Sequence, residues 1–199
     1  MGAALPTPRS GLGGVTGANG RIYAIGGSSD SVQGIFVDTV EVYDPTSDQW
    51  TTGPSMTTAR YALSVTLGAD QLIYAVAGVD DNDLYLDSAE ALDTTKGTWS
   101  PVAQLAHGAR AVAGSATGAD GRVYVVGGLS ATGSPLDFVE VLTPGAAQWQ
   151  SVASLPTPIG SAATAAAHDG RIYVFGGTNS PGAFVKTVQA YSPATGQWR

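Results

Sequence analysis

The chain repeats itself four times, and no other feature of its 199 residues constrains the fold as strongly. Arg21-Ile22-Tyr23-Ala24-Ile25-Gly26-Gly27 returns as Leu72-Ile73-Tyr74-Ala75-Val76-Ala77-Gly78, as Arg122-Val123-Tyr124-Val125-Val126-Gly127-Gly128 and as Arg171-Ile172-Tyr173-Val174-Phe175-Gly176-Gly177. A second landmark, Val40-Glu41-Val42-Tyr43, recurs as Ala89-Glu90-Ala91-Leu92, Val139-Glu140-Val141-Leu142 and Val188-Gln189-Ala190-Tyr191. Each copy of it is followed at the same distance by Trp50, Trp99, Trp149 or Trp198. A repeat of this length is one supersecondary unit, which cannot bury its apolar face alone and must stack against its neighbours.

Within each period lie four short strand signals, spaced too closely for helices of ordinary length. A small-residue segment comes first, at 10–16, 62–67, 111–116 and 161–167. The turn after it carries Asn19-Gly20, Ala69-Asp70, Asp120-Gly121 or Asp169-Gly170, mostly pairs that suit the positive φ of a tight hairpin. Then follow the Tyr-to-Gly strand, a longer loop, the Val-Glu-Val strand, a second turn and the Trp strand. Alanine propensity alone would make 161–167 a helix, but the register places it where 11–16 stands in the first copy, and the reading is a strand. Small side chains there let the innermost strands converge on an axis. The composition agrees: 27 glycines and 11 prolines supply turns, 43% hydrophobic residues supply a core, and 13% charged residues are few for a solvated helical bundle. The fold class is therefore all-β, one antiparallel meander per period.

Gly-Gly, Tyr and Trp in register over four periods resemble the kelch family, and the resemblance runs through essentially the whole chain. It implies a β-propeller of four-stranded antiparallel blades, four per chain, in a single domain over 1–199. The repeats are about 10–58, 61–107, 110–157 and 160–199. Two departures stand out: Ala77 replaces the first glycine in the second repeat, and Ile159 stands where Arg9, Arg60 and Arg110 open the other blades. The start of the chain, Gly2-Ala3-Ala4-Leu5-Pro6-Thr7-Pro8, echoes Ala153-Ser154-Leu155-Pro156-Thr157-Pro158. Residues 1–6 are accordingly expected to complete the last blade, in the same chain or across a homodimer. Four blades close a ring at about 90° each, and two chains share an eight-bladed ring at about 45° each.

A formal charge of −7 without a basic run disfavours a phosphate backbone, so nucleic acid is not an expected partner. No apolar run reaches the length of a membrane span, residues 1–10 lack the apolar core of a signal peptide, and the chain is expected to be soluble. Zero cysteines leave the compartment open and remove disulfides and thiolate metal sites. Some kelch propellers are copper radical oxidases with a tyrosine crosslinked to cysteine, a bond this chain cannot make. No metal or cofactor is expected.

The connectivity places the longer loops, 28–39, 79–88, 129–138 and 178–187, on one face with the links between blades. This upper face is where binding is expected. Arg9, Arg60 and Arg110 are candidates to grip a carboxylate or sulfate there through their forked donors, or else to pair with a neighbouring loop carboxylate or backbone carbonyl and so fix the link between blades. Phe36, Tyr85 and Phe184 occupy matching loop positions, with Pro135 in the remaining copy, as anchors for a partner or as staples of their loops. Asp80, Asp81, Asp83 and Asp87 lack the closing glutamate of an EF-hand and read as a solvated acidic loop. His107 is a candidate for the upper face, and His168 falls on the other. The resemblance implies an interaction module for a protein or acidic glycan. An alternative is a sugar enzyme similar to kelch-type sialic acid mutarotases, and a further one is half of a larger propeller with no ligand of its own.

Overall fold

The computed structural model describes residues 2–30 and 35–199, and every regular element among them is a β-strand. Four separate four-stranded antiparallel sheets follow one another along the chain. Blade one is built of Gly13–Thr16, Ile22–Ile25, Val40–Asp44 and Gln49–Thr52, and blade two of Ser64–Leu67, Ile73–Val76, Ala89–Asp93 and Thr98–Val102. Gly114–Thr117, Val123–Val126, Val139–Leu142 and Gln150–Ser151 make blade three. Ala163–Ala166, Ile172–Phe175, Val188–Ser192 and Gln197–Trp198 make blade four. The alanine-rich segment is thus a strand, paired with Ile172–Phe175, because the sheet ladder and neighbouring blade outweigh alanine's helix preference. The fourth sheet is four-stranded from its own residues. Residues 2–5 lie against blade one, where Ala3 N–H donates to Asp48 Oδ1 and Ala3 C=O accepts from Trp50 Nε1 at 3.0 Å.

One acid-bearing turn, used three times, joins the first two strands of a blade. Asp70, Asp120 and Asp169 each accept a backbone N–H two residues on, at 3.1–3.3 Å, and the hydroxyl of the tyrosine four residues on, at 2.7–2.8 Å. In blade one Asn19 takes this place and donates its amide to Tyr23 Oη at 2.9 Å. Burial first, then the aspartate hydrogen bond, push the Tyr74 and Tyr124 hydroxyls well above the usual phenol range, so both stay protonated donors.

Three apolar layers hold consecutive blades together. Tyr23, Ile25, Val40 and Val42 of blade one meet Ile73, Ala75 and Leu92 of blade two. Tyr74, Val76, Ala89 and Ala91 meet Val123, Val125, Leu142 and Trp149, and Tyr124, Val126, Val139 and Val141 meet Ile172, Val174 and Tyr191. The last three tryptophans each span a seam by donating the indole N–H to a carbonyl of the preceding link: Trp99 to Pro54, Trp149 to Ala103, Trp198 to Ala153. Trp149 is fully buried, whereas Trp50, Trp99 and Trp198 are partly exposed. Around the axis the inner strands are tied by short side chains, with Ser115 Oγ donating to Val65 O and Thr117 Oγ1 to Leu67 O. A Cβ at Gly13 would collide with Val65, which is the physical content of the small-residue rule.

The Gly-Gly pair is resolved into two different requirements. Its first position is left-handed at φ 65°, 58° and 59° in Gly26, Gly127 and Gly176, and Ala77 adopts the same conformation at 61°. That region is accessible to alanine at a cost of about 1–2 kcal/mol, so the departure in the second repeat leaves the loop geometry intact. The second position reaches φ 106° in Gly128, and a Cβ there would stand 2.8 Å from the Ala111 carbonyl oxygen. Urea titrations should therefore separate the two positions by sign. Gly128→Ala is expected to lose about 2–3 kcal/mol and Ala77→Gly to lose nothing; equal losses in both would refute the distinction.

Candidate interaction face

The loops after the second strands and the links between blades sit side by side. Arg60 N–H donates to Val37 O, Arg110 N–H to Leu86 O, and Ile159 N–H to Leu136 O, each a link residue bonded to the loop of the blade before. This face therefore contains all the residues expected to bind, and the structure separates them sharply by burial.

The three arginines point inward. Arg9 donates to the Gly26 and Thr39 carbonyls at 3.1 Å and pairs with Glu41 at 3.2 Å. Arg60 donates to the Ala77 and Ser88 carbonyls at 3.0 Å, to Ser88 Oγ, and through Nε and Nη2 to Glu90. Arg110, wholly buried, is ion-paired with Glu140 and lies against the Gly127 carbonyl. Burial lowers Arg110 to about 10, which leaves it charged at neutral pH. The glutamates also hold the links: Glu90 accepts from Thr57 N–H and Oγ1, and Glu140 from the N–H groups of Ala106 and His107. The tie foreseen for these arginines exists, but its carboxylate comes from the third strand of the same blade and not from a loop.

Blade four confirms the pairing by lacking both members. Ile159 replaces the arginine and Gln189 replaces the glutamate. Gln189 bonds Thr157 through both ends of its amide, accepting from N–H at 3.0 Å and donating to C=O at 3.3 Å. An ion pair is exchanged as a unit for a neutral pair, as expected where one buried charge without the other would be costly.

Among the aromatic candidates, Phe36 stacks on Tyr61 at 4.8 Å and Tyr85 bridges to Val79, so both act as staples across or within their blades. Phe184 alone stands free, 86% exposed, on the short hairpin of Thr178–Ser180 and Ala183–Phe184. Leu84, 61% exposed, and Ile35 stand one position before the matched aromatics of their loops and were not singled out from the sequence. Their signal was available, because a leucine or isoleucine at the tip of a polar loop has no internal reason to be there.

The acidic loop is organised by its own backbone: Asp80 accepts from Asn82 N–H and Leu84 N–H at 2.9 Å. Among the described residues no group of three or more histidine, aspartate or glutamate side chains is arranged to hold a metal ion. His107 stacks on Phe138 at 4.5 Å, and its Nδ1 lies 3.4 Å from Ser151 Oγ and 3.6 Å from Glu140. Serine and carboxylate thus share one imidazole nitrogen. A nucleophile relay needs them on opposite nitrogens, so this arrangement orients the histidine without activating the serine. Clefts of about 410 and 170 Å³ lie between blades near the turns that carry Asp70 and Asn19, and one of about 490 Å³ runs along the link Ala103 to Ala106 beside Trp149. No helix of the described residues is long and apolar enough to cross a membrane.

Comparison with known proteins gives the same architecture. Over its whole length the chain overlays the structure titled "Structure of YjhT", a kelch propeller, with a TM-score of 0.83 at 14% identity, and covers 72% of that chain. Over 97 residues, 48% of this chain, it is 37% identical to Kelch-like protein 23 of Homo sapiens and 36% identical to that of Mus musculus. It spans about a sixth of the length of these relatives, 16% in each case. The family model for the KLHDC2/KLHL20/DRC7 Kelch-repeats domain matches residues 14–199, and with four blades, four glycine pairs or their equivalents and four bridging tryptophans in place, the chain belongs to the kelch-repeat family.

Proposed function

We propose that the chain is a binding module that presents its upper loops to a protein partner. The observation that carries this reading is the division of labour on that face. The three arginines of that face are spent on internal ties, while Leu84 and Phe184 project apolar surface from its loops. Large apolar side chains on a fixed scaffold, ringed by polar residues, are the usual anchors of protein interfaces. The same reading has two copies joined as a homodimer, which sets their loops side by side.

The test is affinity capture on the immobilised chain, with Leu84→Asp/Phe184→Asp as the rim variant and Lys96→Glu, on the opposite turns, as the control. Proteins held by the native chain and the control should be lost from the rim variant. Retention by all three would overturn the assignment. Calorimetry with sialic acid, glucuronate and sulfate addresses an acidic glycan instead. Binding heat that disappears in His107→Ala would favour the glycan over the protein.

A further inference from the structure

The geometry points to a second binding surface, away from the upper loops: the cleft between blades two and three takes the arginine side chain of an extended partner polypeptide. It lies by the turns at the other end of the blades and does not depend on the reading given for the upper face.

One substitution in the repeat sets this cleft apart. Arg21, Arg122 and Arg171 precede the second strands of three blades, and Leu72 stands in their place in blade two. In blades three and four that arginine serves the acid of its own turn. Arg122 donates Nε to Asp120 at 2.7 Å and Nη2 to Tyr124 Oη at 2.9 Å, with its guanidinium carbon 5.5 Å from the tyrosine ring centre. Arg171 donates to Asp169 at 3.0 Å. Blade one has the neutral Asn19 in the turn, and Arg21 pairs with Asp44 at 3.3 Å. Blade two alone keeps the acid and drops the cation. Asp70 is exposed, and among the described residues no cation pairs with it. Leu72 packs instead against the apolar layer between blades two and three. The carboxylate is nonetheless held as Asp120 is. Asp70 Oδ1 accepts from Leu72 N–H at 3.3 Å and Oδ2 from Tyr74 Oη at 2.8 Å, the same two bonds that Asp120 makes. Gly68 and Gly118 make room for the two acids alike, since a Cβ at either would stand 2.4–2.6 Å from the aspartate Oδ1. A carboxylate has about four acceptor positions, so each oxygen of Asp70 keeps room for another donor. A guanidinium fork supplies both donors in one plane.

Space for the arginine exists. The cleft holds about 410 Å³, against about 170 Å³ at the equivalent place between blades one and two, where Arg21 is itself one of the walls. Asp70 and Tyr74 line it, and Leu72, Val102 and Leu142 offer aliphatic surface to the methylene stem. The net charge of −7 favours a cation. The groove also runs on. Ala103 and Ala147 line both this cleft and the one of about 490 Å³ beside Trp149, so the two adjoin. Blade three is cut back there, because its outer strand is only Gln150–Ser151. Tyr43 pairs with Trp50, Leu92 with Trp99 and Tyr191 with Trp198, whereas the ladder of blade three stops at Val141 with Gln150. A small guanidinium compound fills the first cleft and leaves the second empty. An extended polypeptide fills both, with its arginine in the first and its flanking backbone along the second, and this continuity selects the polypeptide.

Amide-resolved NMR titration with the end-blocked peptide Ala-Ala-Arg-Ala-Ala supplies the test. Its arginine should shift the amides of residues 70–74 and 145–147 saturably, and its flanks those of 104–106. Citrulline in place of the arginine keeps the shape and removes the charge, and should weaken binding at least about tenfold. Asp70→Asn and Leu72→Arg in the protein should each do the same. The first copies Asn19 of blade one, and the second fills the cleft with the protein's own guanidinium as Arg122 does in blade three, so neither should lower the melting temperature. No shift with about 10 mM peptide, about tenfold above a Kd of about 1 mM, overturns the site. Equal binding of the citrulline peptide, or undiminished binding by both variants, overturns it as well. Agmatine bound as tightly as the peptide, with the amides of 104–106 unmoved by either, overturns the polypeptide as the occupant.

Discussion

Replacing Glu140 by alanine should destabilise the protein by about 3–5 kcal/mol, because Arg110 is then left charged and wholly buried without its carboxylate. Two link amides, those of Ala106 and His107, lose their acceptor in the same step. Arg110→Ile alone should cost a similar amount, since it strands Glu140. The double change Arg110→Ile with Glu140→Gln should recover most of the loss, because blade four already uses Ile159 and Gln189 in these places and both are buried there. A double-mutant cycle by urea titration, closed by the single variant Glu140→Gln, measures the coupling directly. Additive losses would show that the pair does not act as a unit. Little loss in either single variant would show that water reaches the site and that the arginine is not a tie.

The second large effect is expected at Trp149. Its ring fills the layer between blades two and three beside Tyr74, Leu105 and Leu142, and its indole N–H holds the Ala103 carbonyl at 2.7 Å. Trp149→Ala removes that area, leaves a cavity and releases the link, for about 3–5 kcal/mol. Trp50→Ala should cost clearly less, because Trp50 is partly exposed and its indole N–H meets the N-terminal segment at Ala3. The shift of the urea midpoint reads both. Equal losses would mean that the end of the arc is as well covered as its middle, which the exposure of Ile22 argues against.

Much of the fold was legible in the residues because a repeat states each constraint four times. The tight turns, the tyrosine strands and even the alanine-rich strand at Ala163–Ala166 followed from register, which outranks propensity once neighbouring blades supply the ladder. The partners of the arginines were legible in principle. Arginine and glutamate occur together at 9 and 41, 60 and 90, 110 and 140, and both are absent at 159 and 189. What position alone does not carry is the direction of a long side chain. A guanidinium at the mouth of a blade can reach outward to a ligand or inward to a carboxylate, and only the third strand's distance across the sheet selects the second.

By itself, then, the sequence determined the kind of unit, its number and its order, since these depend on local periodicity and on turn chemistry repeated in register. The tertiary structure decided which charged groups are exposed, where residues 2–5 lie and how blades one and four end. The reason is physical. Burial, pairing and the open edge all depend on the rotation between neighbouring blades, which is set by how closely the small inner strands approach and how the layers of Tyr, Val and Trp pack. None of that can be assigned to a single residue or a single repeat.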